Sequence, residues 1–218
     1  MAARPDALLL VAPGCVYCPI VLQSLADAIK AGRLARLEVV NTVEYPEVAK
    51  AVGTRTVPWL RIGPFELDGN YTPGELAEWI EHAAQGTGWE QYFSSLLAQG
   101  RLLQALKRVQ EDPARLAQVI ALAGSLDTPM AVRVGVSAVL EELAGSTALR
   151  RHIPELVALT RSPEPQVRAD ACHYLALTNT CKAAEHVRPL LDDGDASVRE
   201  IAQETLDWLA AKPHQELS

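Results

Sequence analysis

Three Val-Arg pairs set the tightest constraint on this chain. Val132-Arg133, Val167-Arg168 and Val198-Arg199 recur at spacings of 35 and then 31 residues. Four residues past each Val stands Val136, Ala171 or Ala202, and eight past stands Leu140, Leu175 or Leu206. Such positions share one face of an α-helix, so each unit buries a single apolar stripe. Five residues before each Val stands Asp127, Ser162 or Asp193, in turns marked by Thr128-Pro129, Ser162-Pro163 and Asp193-Gly194. Further upstream, Leu156 and Leu159 match Val187 and Leu190. One helix pair cannot bury such a face alone, so residues 113–211 are expected to stack as about three units. Residues 89–111 read as a helix pair capping that stack.

The first part of the chain has another texture. Ala7-Leu8-Leu9-Leu10-Val11, closed by Pro13-Gly14, reads as a buried strand. From Pro19, residues Ile20, Leu22, Leu25, Ala26 and Ile29 form a helical stripe that ends at Gly32. Residues 37–41 read as a second strand, parallel to the first because a helix of this length is the usual crossover. A short helix over 45–52 stops at Gly53. Residues 58–62, the Gly63-Pro64 turn and residues 65–67 read as a hairpin. Pro73 opens a last helix with Leu76, Trp79 and Ile80 on one face. The order βαβαββα predicts an α/β domain over 1–86, with a small mixed sheet covered on both faces. An all-α domain over 87–218 follows, with Gly86-Thr87-Gly88 at the boundary.

Charge and hydropathy exclude several classes. The net charge of −7 argues against a broad phosphate-binding face, so no nucleic-acid partner is expected. No apolar run approaches the roughly 18 to 20 residues of a membrane-spanning helix, so no membrane partner is expected either. The apolar run over 7–12 is short for a signal peptide and lacks a cleavage pattern, which predicts a cytoplasmic protein. The histidines at 82, 152, 173, 186 and 214 show no ligand spacing and read as surface or helix-end residues. No cofactor and no metal are called for.

Four cysteines in 218 residues make no disulfide scaffold. Two of them carry the chemistry. Cys15-Val16-Tyr17-Cys18-Pro19 falls between an apolar strand and a helix. Cysteines three apart at a helix start can close a small disulfide ring, and the first meets the unpaired N–H groups and positive end of the helix dipole. Those groups stabilise a thiolate and lower the thiol pKa to about 3.5–7.5. Cys18, inside the first turn, can attack a mixed disulfide on Cys15. Two competing readings are an inert pair and half of a zinc site. The zinc reading needs a second close pair, and Cys172 and Cys181 lie more than 150 residues away. Those two cysteines are read as buried small residues.

With Thr56-Val57-Pro58 and the βαβαββα order, the first segment resembles a thioredoxin-fold domain over about residues 5–85. The resemblance implies a cis proline at Pro58 that packs against the disulfide, and a docking role for the backbone of Val57. Tyr17 and Trp59 are candidates for an apolar rim around the disulfide, with Trp59 equally readable as sheet core. Three positions depart from the family. Val16-Tyr17 is closer to the Pro-Tyr of glutaredoxins than to the Gly-Pro of thioredoxins. Leu67-Asp68-Gly69-Asn70-Tyr71 has one glycine, where glutaredoxins carry Gly-Gly and an acid for glutathione. Leu9 stands where thioredoxins bury an acid. The second segment resembles the HEAT repeat family over about residues 113–211. That resemblance implies a ladder of Arg133, Arg168 and Arg199 with Asp127 and Asp193; Gly124 stands where a large apolar residue is expected.

Together these resemblances imply a thiol–disulfide oxidoreductase acting through Cys15 and Cys18. The repeats would recruit a disulfide-containing protein client, and a thiol reductase would be the electron donor. The rivals are an adaptor whose thioredoxin-like domain is redox-inactive and a metal carrier using the same cysteine pair.

Overall fold

In the computed structural model, which describes residues 4–211, the chain divides into two compact units between Gly88 and Trp89. The first is an α/β unit built on a four-stranded mixed sheet, and the second is all helical.

In the first unit the strands are β1 (Asp6–Val11), β2 (Arg36–Asn41), β3 (Trp59–Ile62) and β4 (Phe65–Asp68), in the order β2-β1-β3-β4. β1 pairs parallel with β2 and antiparallel with β3, and β3 forms a hairpin with β4. A central strand is covered on both faces, which is why Ala7 to Leu10 are all apolar and all buried. Side chains alternate across the sheet. Leu8 and Leu10 join Trp59 on one face, where Val48, Ala49 and Val52 of α2 (Pro46–Val52) cover them. The other face is served by α1 (Cys18–Lys30) and α3 (Pro73–Gln85), which pack on each other and on the strands. There Val21, Leu25 and Ala28 of α1 are fully buried, and the Trp79 ring of α3 lies 5.0 Å from that of Phe65.

Local sequence sets the ends of these elements. Thr72 and Glu75 form a reciprocal capping box at the start of α3, and Pro73 fills a first-turn position where no N–H is needed. The two hydrogen bonds that Glu75 accepts from Thr72 hold its carboxyl below the usual range. Gly63 turns the hairpin at φ +54°, and a Cβ there would come within 3.1 Å of Ala83 Cβ. Only glycine suits both demands.

The second unit opens with α4 (Trp89–Ala98) and α5 (Leu102–Glu111). Trp89, Tyr92, Phe93, Leu96 and Leu97 of α4 are buried, and the Arg115 guanidinium lies 4.4 Å from the centroid of the Trp89 ring. Then follow α6 (Leu116–Ala123), α7 (Met130–Glu142), α8 (Thr147–Arg151), α9 (Ile153–Leu159), α10 (Pro165–Leu177), α11 (Cys181–Val187) and α12 (Ala196–Ala211). The repeated stripe lies on α7, α10 and α12. Val132, Val167 and Val198 are fully buried, as are Val136, Ala171 and Ala202. α7 packs on α10 and α10 on α12, while α6 packs on both α7 and α9. The third copy drifts: Leu206 is half-buried, and Thr205 and Leu209 take the buried positions on α12. Gly124 closes α6, where a Cβ would meet Leu159 at 3.3 Å and the Ala121 carbonyl at 3.2 Å. That crowding is why no large residue stands there.

No helix among the described residues is long and apolar enough to cross a membrane.

Candidate functional site

The site forms where β1 ends. Past Val11 the chain turns through Pro13 and Gly14, the latter at φ +79°, and α1 begins at Cys18 with Tyr17 as its N-cap. Pro19 in the first turn has no N–H to leave unpaired. Cys15 and Cys18 are joined in a disulfide with Cα atoms 5.5 Å apart. The Cys18 main-chain N–H donates to Cys15 Sγ at 3.1 Å, so the first orphan donor of the helix is spent on the first cysteine. Cys18 is buried, Cys15 is half-buried, and Val16 and Tyr17 between them stand exposed.

Sheet register brings Pro58 to the same end. β3 runs antiparallel to β1 with Trp59 opposite Leu10, so Pro58 lies at the end of β1 from which the cysteine loop emerges. The Val57–Pro58 peptide bond is cis, and Pro58 is buried. Val57 packs its side chain on the cluster of Leu8, Leu10 and Trp59. Its main-chain N–H and carbonyl form no hydrogen bond with the described residues. Just before it, Thr54 Oγ1 accepts from the Thr56 N–H and donates to the Thr56 carbonyl, which braces the approach to the proline.

Trp59 is not part of a rim. Its ring is 1% exposed in the core between the sheet and α2, because register sets it beside Leu10 on the covered face. Tyr17, nearly half exposed, stays at the surface beside the disulfide.

The arginines of the second unit behave differently from the expected ladder. Arg168 grips Asp193 with two hydrogen bonds of 2.7 Å and also donates to the Ser162 and Pro163 carbonyls. Arg199 makes the equivalent turn contacts, to the Asp193 and Gly194 carbonyls, without a carboxylate partner of its own among the described residues. Asp193 therefore links two successive units. The paired Arg168 holds its carboxyl below the usual range. Arg133 departs: it pairs with Asp170 of α10, not with Asp127. The position matching Asp193 in the turn after Arg133 is Ser162, which carries no charge, so the guanidinium takes the nearest carboxylate. Asp127 forms no ion pair with the described residues; its N–H is held by Ser125 Oγ.

The remaining cysteines are free, but they differ from each other. Cys172 is fully buried, and burial pushes its thiol up to about 11. Cys181, expected to be buried, is exposed because it opens α11 at a turn. His152 takes the helix-end alternative of its reading, between α8 and α9, and is buried there. It is 8% exposed, with Nε2 3.0 Å from the Pro113 carbonyl and Nδ1 3.2 Å from Glu155. His214 lies outside the described residues. Among the described residues no group of three or more His, Cys, Asp or Glu side chains could hold a metal ion.

Comparison with models of known protein families finds no match, and comparison with curated proteins finds none either.

Proposed function

We propose that this chain is a cytoplasmic thiol–disulfide oxidoreductase, in which a thioredoxin-like unit carries the Cys15/Cys18 couple and HEAT-type repeats recruit a protein client. One observation carries the reading: the disulfide sits at the start of α1 with the Cys18 N–H aimed at Cys15 Sγ. A sulfur held there has a ready-made hydrogen bond and the positive end of a helix dipole when it becomes a thiolate. The open main-chain groups of Val57, at the same end of the sheet, suit an extended substrate strand. The recurring stripe on α7, α10 and α12 supports the repeat reading of the second unit.

In the reducing direction, the Cys15 thiolate bonds to one sulfur of a substrate disulfide, and the other substrate sulfur leaves as a thiolate. Cys18, once deprotonated, attacks Cys15 Sγ and releases the first substrate sulfur as a second thiolate. The substrate gains two electrons and the Cys15/Cys18 pair loses two. Leu9 is fully buried and offers no carboxylate, so the Cys18 proton leaves to water or to another group. An external dithiol, such as a thiol reductase, returns the pair to its reduced form.

Dithiothreitol-driven reduction of insulin tests this reading. The intact chain should accelerate it, and Cys15→Ser should return the rate to the uncatalysed level. With Cys18→Ser the reaction should stall as a mixed disulfide on Cys15, visible as a mass adduct. An intact chain that leaves insulin reduction unaccelerated would favour a redox-inactive adaptor.

A further inference from the structure

The large apolar side chains that the first unit leaves exposed are gathered, not scattered. Val16, Tyr17 and Ile20 stand at the start of α1, and Val43 and Tyr45 in the turn between β2 and α2. Among the described residues of this unit only Leu22 and Val39 add to them. Val43 is 62% and Tyr45 58% exposed. Apolar residues exposed singly are ordinary, whereas a gathered set marks a contact surface.

Two turns bring this set together around the disulfide. β1 and β2 run parallel with Val11 opposite Asn41, so the segments that follow them leave the same end of the sheet. Thr42 ties the two, since its N–H and its Oγ1 both donate to the Val11 carbonyl, at 2.9 and 3.2 Å. The Cys15 N–H returns to the Ala12 carbonyl and the Tyr45 N–H to the Asn41 carbonyl, so each segment folds back in one turn. The Val43 N–H is held by Asn41 Oδ1 at 3.0 Å. With paired strands about 4.8 Å apart and turn ends under about 7 Å, Tyr45 and Cys15 lie within roughly 18 Å, the reach of about five extended residues. The strand order β2-β1-β3 sets the arrangement across this end: Val43 and Tyr45, then Cys15, then Val57. A substrate held at Val57 and bonded to Cys15 has Val43 and Tyr45 on its far side.

The chemistry of this end is poor in charge. Segments 12–17, 42–45, 54–57 and 69–72 carry only Glu44 and Arg55, of opposite sign. A substrate rich in carboxylates, such as glutathione disulfide, would lose water there with a single cation to receive it. Glu44, between Val43 and Tyr45 in sequence, adds repulsion. An aliphatic or aromatic residue gains by leaving water, and tyrosine is a side chain that contact surfaces favour.

We infer that Val43 and Tyr45 are specificity-determining residues of the redox site: they receive an aliphatic or aromatic residue within about five positions of the substrate cysteine, and so favour an apolar-flanked protein disulfide over glutathione disulfide. This selectivity rests on the oxidoreductase reading, and the electrons pass as proposed there, from the reduced Cys15/Cys18 pair to the substrate disulfide.

Reduction of three disulfides by the full chain, driven by dithiothreitol and corrected for its direct reaction, tests it. Two are disulfide-linked dimers of short peptides, one with leucines and one with serines flanking the cysteine; the third is glutathione disulfide. The leucine peptide should show a kcat/KM about tenfold above the other two. The double variant Val43→Ser/Tyr45→Ser, altered only at exposed positions, should lose about that factor on the leucine peptide and leave the serine peptide unchanged. Equal rates on the two peptides, a preference for glutathione disulfide, or a variant that slows both peptides alike would overturn the specificity role while the oxidoreductase reading stands. Failure to accelerate any of the three would overturn that reading and the specificity with it.

Discussion

The main-chain N–H of Cys18 donates to the Sγ of Cys15 across 3.1 Å. This one contact separates two cysteines that composition treats alike. Cys15 faces the helix end and is half-buried, whereas Cys18 is the first residue of the helix itself and is buried. The dipole and the N–H both serve the first sulfur, so the first is the better thiolate.

In Cys18→Ser protein, the Cys15 thiol should therefore titrate well below the ordinary value of about 8.5 for a free cysteine, within roughly 3.5–7.5. Alkylation rates followed against pH measure it. A midpoint close to that of a free cysteine would remove the basis for assigning Cys15 as the nucleophile.

The two free thiols should part company. Cys172 is fully buried with its thiol raised to about 11, and Cys181 is exposed. In mildly alkaline buffer a chromogenic disulfide reagent should label Cys181 quickly and reach Cys172 only when the protein unfolds. Cys181→Ser should thus leave the native oxidised protein nearly unreactive. Rapid native labelling of Cys172 would contradict its burial.

Gly135 marks a close approach in the second unit. A Cβ there would lie 2.8 Å from Leu97 Cβ, an atom that no rotamer change can move away. Gly135→Ala gains about 1 kcal/mol of helix propensity. Overpacking costs about 1–3 kcal/mol, and the rigid contact points to the upper part of that range. Urea unfolding should show a net loss of about 1 kcal/mol. An unchanged or raised midpoint would show that α4 and α7 are free to separate.

Asp193 should give the acid limb of stability a definite sign. Arg168 lowers its carboxyl pKa in the folded state, so at low pH the unfolded chain binds the proton more readily. Its contribution is fully present above the unfolded value of about 3.9 and is lost as pH falls through the lower folded value. Asp193→Asn should lower stability at neutral pH and flatten the loss below about pH 4. Thermal melts from strongly acidic to neutral pH test both, and parallel curves for the two proteins would rule out the linkage.

Much of this architecture is legible in the periodicity of the chain. The stripe of Val132, Val136 and Leu140 and the run from Ala7 to Val11 each state their element type, because burial imposes a period that the chain must carry locally. The Cys15–Cys18 spacing is likewise local, and so is its position at a helix start.

Contacts between distant residues lie beyond that reach. Trp59 looks the same in sequence whether it rims the disulfide or fills the core, and only its register opposite Leu10 decides for the core. Arg133 pairs with Asp170 because the repeat places an uncharged Ser162 where a carboxylate was needed, and which acid lies nearest is a property of helix packing. Sequence alone determined the elements of the first unit, their order and the closely spaced cysteine pair, since these follow from interactions between near neighbours in the chain. Tertiary structure decided which side chains became core and which found partners, since those outcomes depend on packing between segments far apart in sequence.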